Sequence, residues 1–478
     1  MYKEIIRIDK SLRPYQQDAK SEIFSAWDNC DHVLFQMPTG TGKTRLFTSI
    51  ISDIKAWGII NHRDAKVLII AHRVELIEQI SESLDRYKVT HGLIAGGKER
   101  NLRPQVQVAS IQTITHRMNL DVAQSLAVDF VIIDEAHHST ANSYKRLWDL
   151  YPEAKILGVT ATPWRMNHLG FTSIYDRLIV SKPIKCFIQE GWLAPYKYYS
   201  IKDGSRIHHD INNINDFDIE GDYKVSALES VMDRGSIRAS LLESYLKLAK
   251  GKKGIIYSVS RKHSDHICEE YKDAGINIVR IDSETPREER RLYVQRFKKG
   301  LIDIIVNVDI FSEGFDCPDI EFIQLARPTK SLVKYLQQVG RGLRPTVGKS
   351  KCIILDNVGA HLEFALPDSE RSWEKEFVGE PKQRKKRYLS NITRESSLNE
   401  RSYDEGSEEL GLIEDIEVAN DYVDKSQYVS AWNDEDDNLL KTLYVERNCP
   451  VEIIASVFHQ DKSFIEKRIK ELELLHDA

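Results

Sequence analysis

Short apolar segments alternate with amphipathic helical segments in two separate stretches of this 478-residue chain. In the first stretch the candidate strands are HVLFQ, KVLIIA, VQVAS, FVIID and KILGVT. In the second stretch they are KGIIYSV, INIVRI, IDIIVNV, EFIQLA and KCIILD. Apolar runs without polar alternation are typical of parallel strands that have helices on both faces of the sheet. The sequence therefore predicts an α/β protein with two tandem parallel-sheet domains, residues 1–185 and 231–365.

Three further segments complete the predicted organisation. Residues 186–230 are less periodic and are predicted to form a bridging insert. Residues 366–428 contain the basic run KQRKKR and the acidic run YDEGSEELGLIEDIE, which are typical of a charged, partly disordered linker. Residues 429–478 carry apolar side chains at helical spacing, which predicts a small all-α domain, a three-helix bundle of the helix-turn-helix or Myb-like kind.

The composition restricts the class of protein. The formal net charge is −6, so nucleic acid would have to meet a local basic surface rather than a basic chain. The six cysteines form no C-x-x-C pair, which disfavours a zinc site and a disulfide framework. No segment has the apolar length of a membrane span, and the first residues lack the apolar core of a secretion signal. We expect a cytoplasmic protein with no membrane partner.

The segment QMPTGTGKT follows a predicted strand and opens a predicted helix, which is the context of a phosphate-binding loop. Gly40 and Gly42 permit the tight curve that points successive N–H groups at an anion. Lys43 is expected to reach the β- and γ-phosphates of ATP, and the Thr44 hydroxyl to bind Mg²⁺. Met37 stands where the generic loop has its first glycine. The predicted ATP contacts of the loop are Thr39, Gly40, Thr41, Gly42, Lys43 and Thr44.

The segment FVIIDEAHHS places two carboxylates at the carboxyl end of a predicted strand, where ligands bind in open α/β sheets. Asp134 is expected to hold Mg²⁺, directly or through water. Glu135 is expected to act as general base toward the attacking water. An exposed acidic turn is the alternative for DEAH alone, but its position after a phosphate loop favours hydrolysis of ATP.

PTGTGKT, DEAHHS, GVTATP and QQVGRGLRP occur in this order, and through them the chain resembles the superfamily 2 DEAD/DEAH-type helicases and translocases over about residues 10–365. Within the superfamily it resembles RadD-like repair helicases and the motor subunits of restriction enzymes. The resemblance implies two RecA-like domains with an ATP site in the cleft between them. Met37 fits this superfamily, because its members tolerate a residue other than glycine at that position.

The resemblance also assigns roles to residues elsewhere in the chain. LRPYQQ is similar to the adenine-sensing motif, which places Arg13 and Gln16 near the base. AHRVELIEQ and VASIQTI are similar to motifs that contact the nucleic-acid backbone, through Arg73, Ser110 and Gln112. The remaining implied roles are coupling of hydrolysis to the second domain by Thr160 and Thr162, contact with nucleotide and strand by Glu313, Gly314 and Asp316, and catalysis from across the cleft by Gln337, Arg341 and Arg344.

These expectations combine into one leading function and two alternatives. The leading function is an ATP-dependent DNA helicase or double-strand DNA translocase that uses ATP and Mg²⁺, in DNA repair, recombination or phage defence. An RNA helicase and an ATP-gated nucleic-acid clamp without processive stepping are the alternatives, because backbone contacts do not distinguish DNA from RNA. For the C-terminal residues, DNA binding and docking of a protein partner stay equally open, since basic side chains on the last helix lie in a net acidic segment.

Overall fold

The chain is described by a computed structural model, which covers residues 9–116, 120–139, 141–308, 317–379, 410–416, 432, 434–446, 448–458 and 460–474. In these residues two sheets of seven strands follow each other along the chain, and a helical bundle follows the second sheet. The predicted fold class, two tandem RecA-like α/β domains with a small all-α C-terminal domain, is confirmed.

The first sheet is entirely parallel and has helices on both of its faces. Its strands are β1 (His32–Gln36), β2 (Val67–Ala71), β3 (His91–Ile94), β4 (Val106–Ser110), β5 (Phe130–Asp134), β6 (Lys155–Thr160) and β7 (Arg177–Val180). Their spatial order is β3-β4-β2-β5-β6-β1-β7. Every side chain of β2, β4 and β5 is buried, as expected for strands covered on both faces. The sequence does not predict β3 and β7, because each is a four-residue edge strand with partly exposed side chains.

The helices of the first domain include α2, which carries the phosphate loop at its start. In the residues that the structure describes, these helices are α1 (Pro14–Trp27), α2 (Lys43–Ile60), α3 (Val74–Arg86), α4 (Ile111–Ile114), α5 (Leu120–Ser125), α6 (Asn142–Leu150) and α7 (Ile184–Gln189). Lys20 on α1 and Asp53 on α2 form an ion pair of 2.8 Å, and both side chains are fully buried. Removing one partner of such a pair typically costs about 3–5 kcal/mol, so α2 is firmly seated in the domain.

The second sheet is parallel except at one edge. Its strands are β8 (Tyr196–Ser200), β9 (Gly254–Tyr257), β10 (Ile278–Ile281), β11 (Ile304–Asn307), β12 (Phe322–Leu325), β13 (Cys352–Asp356) and β14 (Gly411–Asp415). Their spatial order is β10-β11-β9-β12-β13-β8-β14. β14 runs antiparallel to β8, whereas the other neighbours are parallel.

Two strands of this sheet lie outside the predicted limits of the second domain. The predicted bridging insert, 186–230, contributes β8, which pairs in parallel with β13, Ser200 opposite Asp356. The predicted linker, 366–428, contributes β14. The segment YKYYS alternates buried and partly buried side chains and is rich in tyrosine, which suits a strand. Its polar surroundings in the sequence conceal that pattern, and the insert prediction has to be corrected accordingly.

The helices of the second domain include one that is buried along nearly its whole length. In the described residues these helices are α8 (Arg206–Asn212), α9 (Val225–Met232), α10 (Gly235–Leu248), α11 (Arg261–Asp273), α12 (Arg287–Lys298), α13 (Leu332–Gly342) and α14 (Ala360–Phe364), and α15 (Trp373–Val378) follows them in the chain. The buried helix is α13. After α14 the chain returns to the first domain, where the Phe171 N–H donates to the Phe377 carbonyl oxygen at 2.8 Å. The start of the predicted linker is therefore ordered structure.

The C-terminal bundle consists of the helices Asp434–Lys441, Val451–Phe458 and Lys462–Glu471, and a π-helical turn extends the first of them. It packs against α2 of the first domain through Ala56 and Ile59. The three predicted helices are present, and the helix-turn-helix or Myb-like class stays a prediction. Across the described ranges of the chain, the helices are all too short or too polar to cross a membrane.

Candidate active site between the two domains

The predicted phosphate loop is the turn that joins β1 to α2. Gly40 and Gly42 have φ of +88° and +87°, in the left-handed region that glycine adopts without strain. Gly42 is also the N-cap of α2, and a Cβ at this position would lie 2.5 Å from Gln16 Nε2. Lys43 is the first residue of the helix, and its ammonium donates to the Met37 carbonyl oxygen at 3.3 Å. The loop therefore has the curled backbone and helix N-terminus of an anion site.

Met37 occupies its unusual position for a packing reason. Its side chain is fully buried in the core of the first domain. Its N–H donates to the Thr160 carbonyl oxygen at 2.9 Å, which continues the pairing of β1 with β6. An apolar side chain fills this site, and glycine would leave a void there. The phosphate loop consequently keeps its shape through its later glycines.

The predicted acid pair lies at the carboxyl end of β5. Asp134 ends the strand and Glu135 follows with φ of +50°, a left-handed conformation that is uncommon for a residue with a Cβ. The Asp134 carboxylate accepts a hydrogen bond from the Glu135 N–H at 3.0 Å. Burial lowers the pKa of the Lys43 ammonium below its ordinary value, and the charges of Glu135 and Asp134 oppose that shift. Lys43 and both carboxylates are thus close enough to interact electrostatically.

Helix α13 of the second domain covers this group. Gln337 Nε2 donates to Glu135 Oε2 at 3.4 Å across the domain boundary. The charges of Arg341 and Arg344 add to the lowering of the Lys43 pKa, and a Cβ at Gly40 would lie 3.3 Å from Arg344 Cγ. A Cβ at Gly340 would lie 2.7 Å from Thr39 Cβ, which shows how closely α13 approaches the loop. The structure thus places Gln337 and Arg341 on the helix that lies against the phosphate loop and Arg344 just after it, and their roles stay predictions.

The predicted coupling residues are linked to the acid pair by a histidine that the sequence did not single out. His137 Nδ1 lies 3.0 Å from Thr160 Oγ1 and 3.4 Å from Glu135 Oε2. Thr160 Oγ1 also accepts a hydrogen bond from the Thr162 N–H at 3.2 Å. A chain of contacts therefore runs from the end of β6 through His137 and Glu135 to α13. The available signal was the histidine two residues after Glu135 in DEAHHS.

The predicted adenine contacts support the phosphate loop in this structure. Gln16 is buried, its Nε2 donates to the carbonyl oxygens of Thr41 at 2.9 Å and Gly42 at 3.1 Å, and its Oε1 accepts from the Arg13 N–H. Both amide N–H groups are thus used, and pairing with adenine at two points would require them to rearrange. Arg13 lies over the ring of Trp192, 5.1 Å from its centroid, and its guanidinium donates to the Tyr15 hydroxyl.

The predicted nucleic-acid contacts lie together where β2 and β4 end. These strands are neighbours, with Ala71 opposite Ser110. The Ser110 hydroxyl donates to Gln112 Oε1 at 2.6 Å, and Gln112 Nε2 donates to the His72 carbonyl oxygen at 3.0 Å. Arg73 follows as the N-cap of α3. Gln112 is exposed and Arg73 partly exposed, whereas Ser110 is buried, so the surface offered at this edge belongs to Arg73 and Gln112.

Magnesium fits the donors at this site. Within the described parts of the chain, no group of three or more His, Cys, Asp and Glu side chains forms a metal cluster. Mg²⁺ is usually held by one or two protein oxygens together with phosphate and water, rather than by an all-protein cage. The Asp134 carboxylate and Thr44 hydroxyl are oxygen donors of this kind. The predicted nucleotide and strand contacts at Glu313, Gly314 and Asp316 lie outside the described residues.

Known proteins match both domains of the chain. Residues 9–165 match the family model for the type III restriction enzyme res subunit, and residues 237–346 match the helicase conserved C-terminal domain. A 51.5 kDa protein of a Lactococcus phage (isolate 7-9) is 35% identical over 72% of this chain and 70% of its own length. The protein IRC3 of Saccharomyces cerevisiae, described as a candidate ATP-dependent helicase, is 32% identical over 73% of this chain and 52% of its own length.

A solved structure shows the same fold. The fragment of a candidate HsdR subunit of a type I restriction enzyme from Vibrio vulnificus YJ016 is 22% identical with a TM-score of 0.56, over 78% of this chain and 69% of that one. The chain spans about half the length of the yeast relative. The chain belongs to the superfamily 2 helicases and translocases, a class of ATP hydrolases that includes restriction-enzyme motor subunits. The narrower resemblance to RadD-like repair helicases stays a prediction.

Proposed function

We propose that the chain is an ATP-dependent DNA helicase or double-strand DNA translocase, in which hydrolysis in the interdomain cleft drives movement along DNA. The observation that carries the proposal is the hydrogen bond from Gln337 on α13 to Glu135 after β5. It joins α13 of the second domain to the acid pair of the first domain. DNA as the track is supported by the restriction-enzyme subunits among the matches.

The residues around the cleft divide the proposed reaction between them. Lys43 binds the phosphates as a point charge, and Glu135 accepts the proton of the attacking water. Arg341 and Arg344 offset the charge that develops on the transferred phosphoryl group. Gln337 keeps Glu135 oriented through its amide N–H. The buried setting strengthens each of these interactions, because few water molecules screen them.

Thr44 and Asp134 are the residues that we propose hold Mg²⁺. When bound, the ion neutralises phosphate charge and orients the phosphates for attack. Lys43 and these two oxygen donors sit on elements of the first domain alone, at the start of α2 and the end of β5. The first domain therefore carries the groups that bind the phosphates and Mg²⁺, and the second domain supplies the arginines.

Movement follows from the division of the site between two domains. Binding of ATP favours the closed arrangement, because Arg341 and Arg344 can reach its γ-phosphate only when α13 lies against the phosphate loop. Loss of the γ-phosphate removes that preference. Arg73, Ser110 and Gln112 would hold the strand on the first domain, so a cycle of closing and opening displaces it. Gly314 and Asp316 stay the predicted counterparts on the second domain.

The test is the steady-state rate of ATP hydrolysis with no polymer, single-stranded DNA, duplex DNA, forked DNA or RNA, with Lys43→Ala as the blank. We expect stimulation by DNA that Lys43→Ala abolishes. Stimulation by RNA alone would overturn the DNA assignment and support an RNA helicase. DNA-stimulated hydrolysis without displacement of a triplex strand would indicate the non-stepping clamp.

We further propose that the C-terminal bundle docks a protein partner. Arg468 is engaged within the bundle, because its guanidinium bonds both oxygens of Asp437 at 2.8 and 2.6 Å. Lys462 is paired with Glu452 at 2.7 Å and Lys467 with Glu471 at 3.7 Å. These ion pairs partly neutralise the basic face of the last helix, on which Lys470 is exposed. The proposed cytoplasmic location is tested by cell fractionation with an antibody to the chain.

A further inference from the structure

A buried lysine lies at the end of the helix that carries the two arginines. Lys349 belongs to the turn between α13 and β13, and only 5% of its surface is exposed. Its ammonium donates to the carbonyl oxygens of Gly342 at 2.6 Å, Arg344 at 2.9 Å and Pro318 at 3.3 Å. In the described part of the chain, all three hydrogen bonds of this ammonium therefore go to the main chain, which uses its three N–H groups completely.

This arrangement is costly as a way to stabilise a fold. Burial of an unpaired ammonium costs several kcal/mol, and the burial lowers the pKa of Lys349 below its ordinary value. The carboxylates whose charges act on Lys349 have other partners, since Asp319 binds Lys253 at 2.6 Å and Glu321 binds Lys252 at 3.0 Å. An apolar side chain of the same length would avoid the cost. The role of Lys349 is therefore to be sought in where its ammonium lies.

The charge lies where the main chain of α13 has unsatisfied carbonyl groups. A helix ends with carbonyl oxygens that lack intrahelical partners, and its C-terminus carries a partial negative charge. Gly342 is the last residue of α13 and directly follows Arg341, while Arg344 is itself one of the bonded residues. Lys349 thus bonds the main chain at Arg344 and at Gly342, the residue that follows Arg341. Its third acceptor, Pro318, anchors that point to the segment before β12.

We propose that Lys349 is a positioning residue for Arg341 and Arg344, acting through the main chain at the end of α13. The proposal rests on the proposed function, in which these arginines serve hydrolysis. Without the ammonium, the carbonyl groups of the last turn lose their donor. The backbone from which the two guanidinium side chains extend is then no longer held in place. Misplacement of a catalytic group by about 1 Å costs up to 10²-fold in rate.

The first test is Lys349→Met, which removes the charge and keeps the length of the side chain. We expect kcat for DNA-stimulated hydrolysis to fall at least about tenfold, with the Kd for a fluorescent ATP analogue within about twofold of wild type. Lys349→Gln retains two donor N–H groups and should lose less, which also serves if the methionine variant folds poorly. Lys299→Met makes the same chemical change at an exposed position and should leave kcat unaltered. Wild-type kcat in Lys349→Met would overturn the proposal.

The second test is a double-mutant cycle, and a purely structural role of Lys349 would not give the result that we expect from it. In an Arg341→Ala/Arg344→Ala background, Lys349→Met should reduce the residual single-turnover rate by less than about twofold, because the groups that it positions are gone. An undiminished tenfold loss in that background would show that Lys349 acts elsewhere. Wild-type hydrolysis in Lys43→Ala or in the double arginine variant would instead overturn the proposed function, which separates the two failures.

Discussion

The two sheets have equal numbers of strands in the described part of the chain, but they are assembled from the chain in different ways. The first takes all its strands from residues 32–180, and every neighbouring pair is parallel. The second takes β8 from before its predicted domain and β14 from beyond it, in the antiparallel direction. The first sheet is thus a continuous unit of sequence, and the second is closed by segments from outside its predicted boundaries.

The functional side chains differ in the same way. Those of the first domain leave from the ends of several strands, including β1, β5 and β6. Those described in the second domain leave from α13 and the turn that follows it. Side chains on separate strands of one sheet keep fixed relative positions, whereas one helix moves as a unit. We infer that the first domain is the rigid half of the site and that α13 is the half that engages and withdraws.

The largest effect should come from the rigid half. We expect Glu135→Gln to lower kcat for ATP hydrolysis by about 10⁴-fold, because an amide cannot accept the proton of the attacking water. Binding of a fluorescent ATP analogue should be nearly unchanged, since Lys43 and the phosphate loop are intact. Stopped-flow release of phosphate measures the first quantity and equilibrium titration measures the second.

Glu153→Gln is the matched control, because Glu153 is exposed on the same domain. It should hydrolyse ATP at the wild-type rate. Turnover in Glu135→Gln comparable to that of this control would contradict the assignment of the acid pair. It would also contradict the role of the first domain as the rigid half of the site.

The next effect should come from the movable half. Arg341→Ala should reduce kcat by about 10³-fold, near the lower end of what arginines that act across a cleft contribute. The Kd for ATP should stay within a few-fold of wild type, because the phosphates are held by the first domain. The measurement is a parallel determination of kcat and Kd, with Arg206→Ala at an exposed position as control. Lost ATP binding with normal residual turnover would show that Arg341 belongs to the binding half instead.

The same contrast explains which parts could be predicted from the sequence. Lys43 and Asp134 were predictable, because strand, turn and helix follow each other within a few residues at each motif. The contact of Gln337 with Glu135 depends on how the domains dock, although the resemblance placed both residues in the cleft. β8 was missed because strand pairing joins it to β13 over a long separation. Lys349 gave no signal at all, since a lysine in a turn is ordinarily exposed.

The smallest effect should come from the ion pairs that join the edge strand β14 to the rest of the second sheet. Asp415 on β14 binds Lys197 of β8 at 2.7 Å and Lys351, next to β13, at 2.8 Å. Ion pairs with partly exposed side chains contribute about 0.5–1 kcal/mol, so Asp415→Asn should speed hydrogen exchange at residues 411–416 about two- to fivefold. Asp31→Asn removes an exposed pair of the first domain and should leave this exchange unchanged.

The effect of Asp415→Asn on hydrogen exchange should depend on pH, and the lowered pKa of Asp415 sets the direction of that dependence. Burial alone would raise the pKa of Asp415, but the bonded ammonium groups of Lys197 and Lys351 outweigh it and hold the pKa below its ordinary value. The contribution is present while the carboxylate is ionised and is lost as pH falls through the lowered pKa. Wild type and Asp415→Asn should therefore differ at neutral pH and converge in acid. Equal exchange at neutral pH would mean that β14 is held only by its main-chain pairing with β8. The ion pairs of Asp415 would then add nothing to the stability of this edge of the sheet.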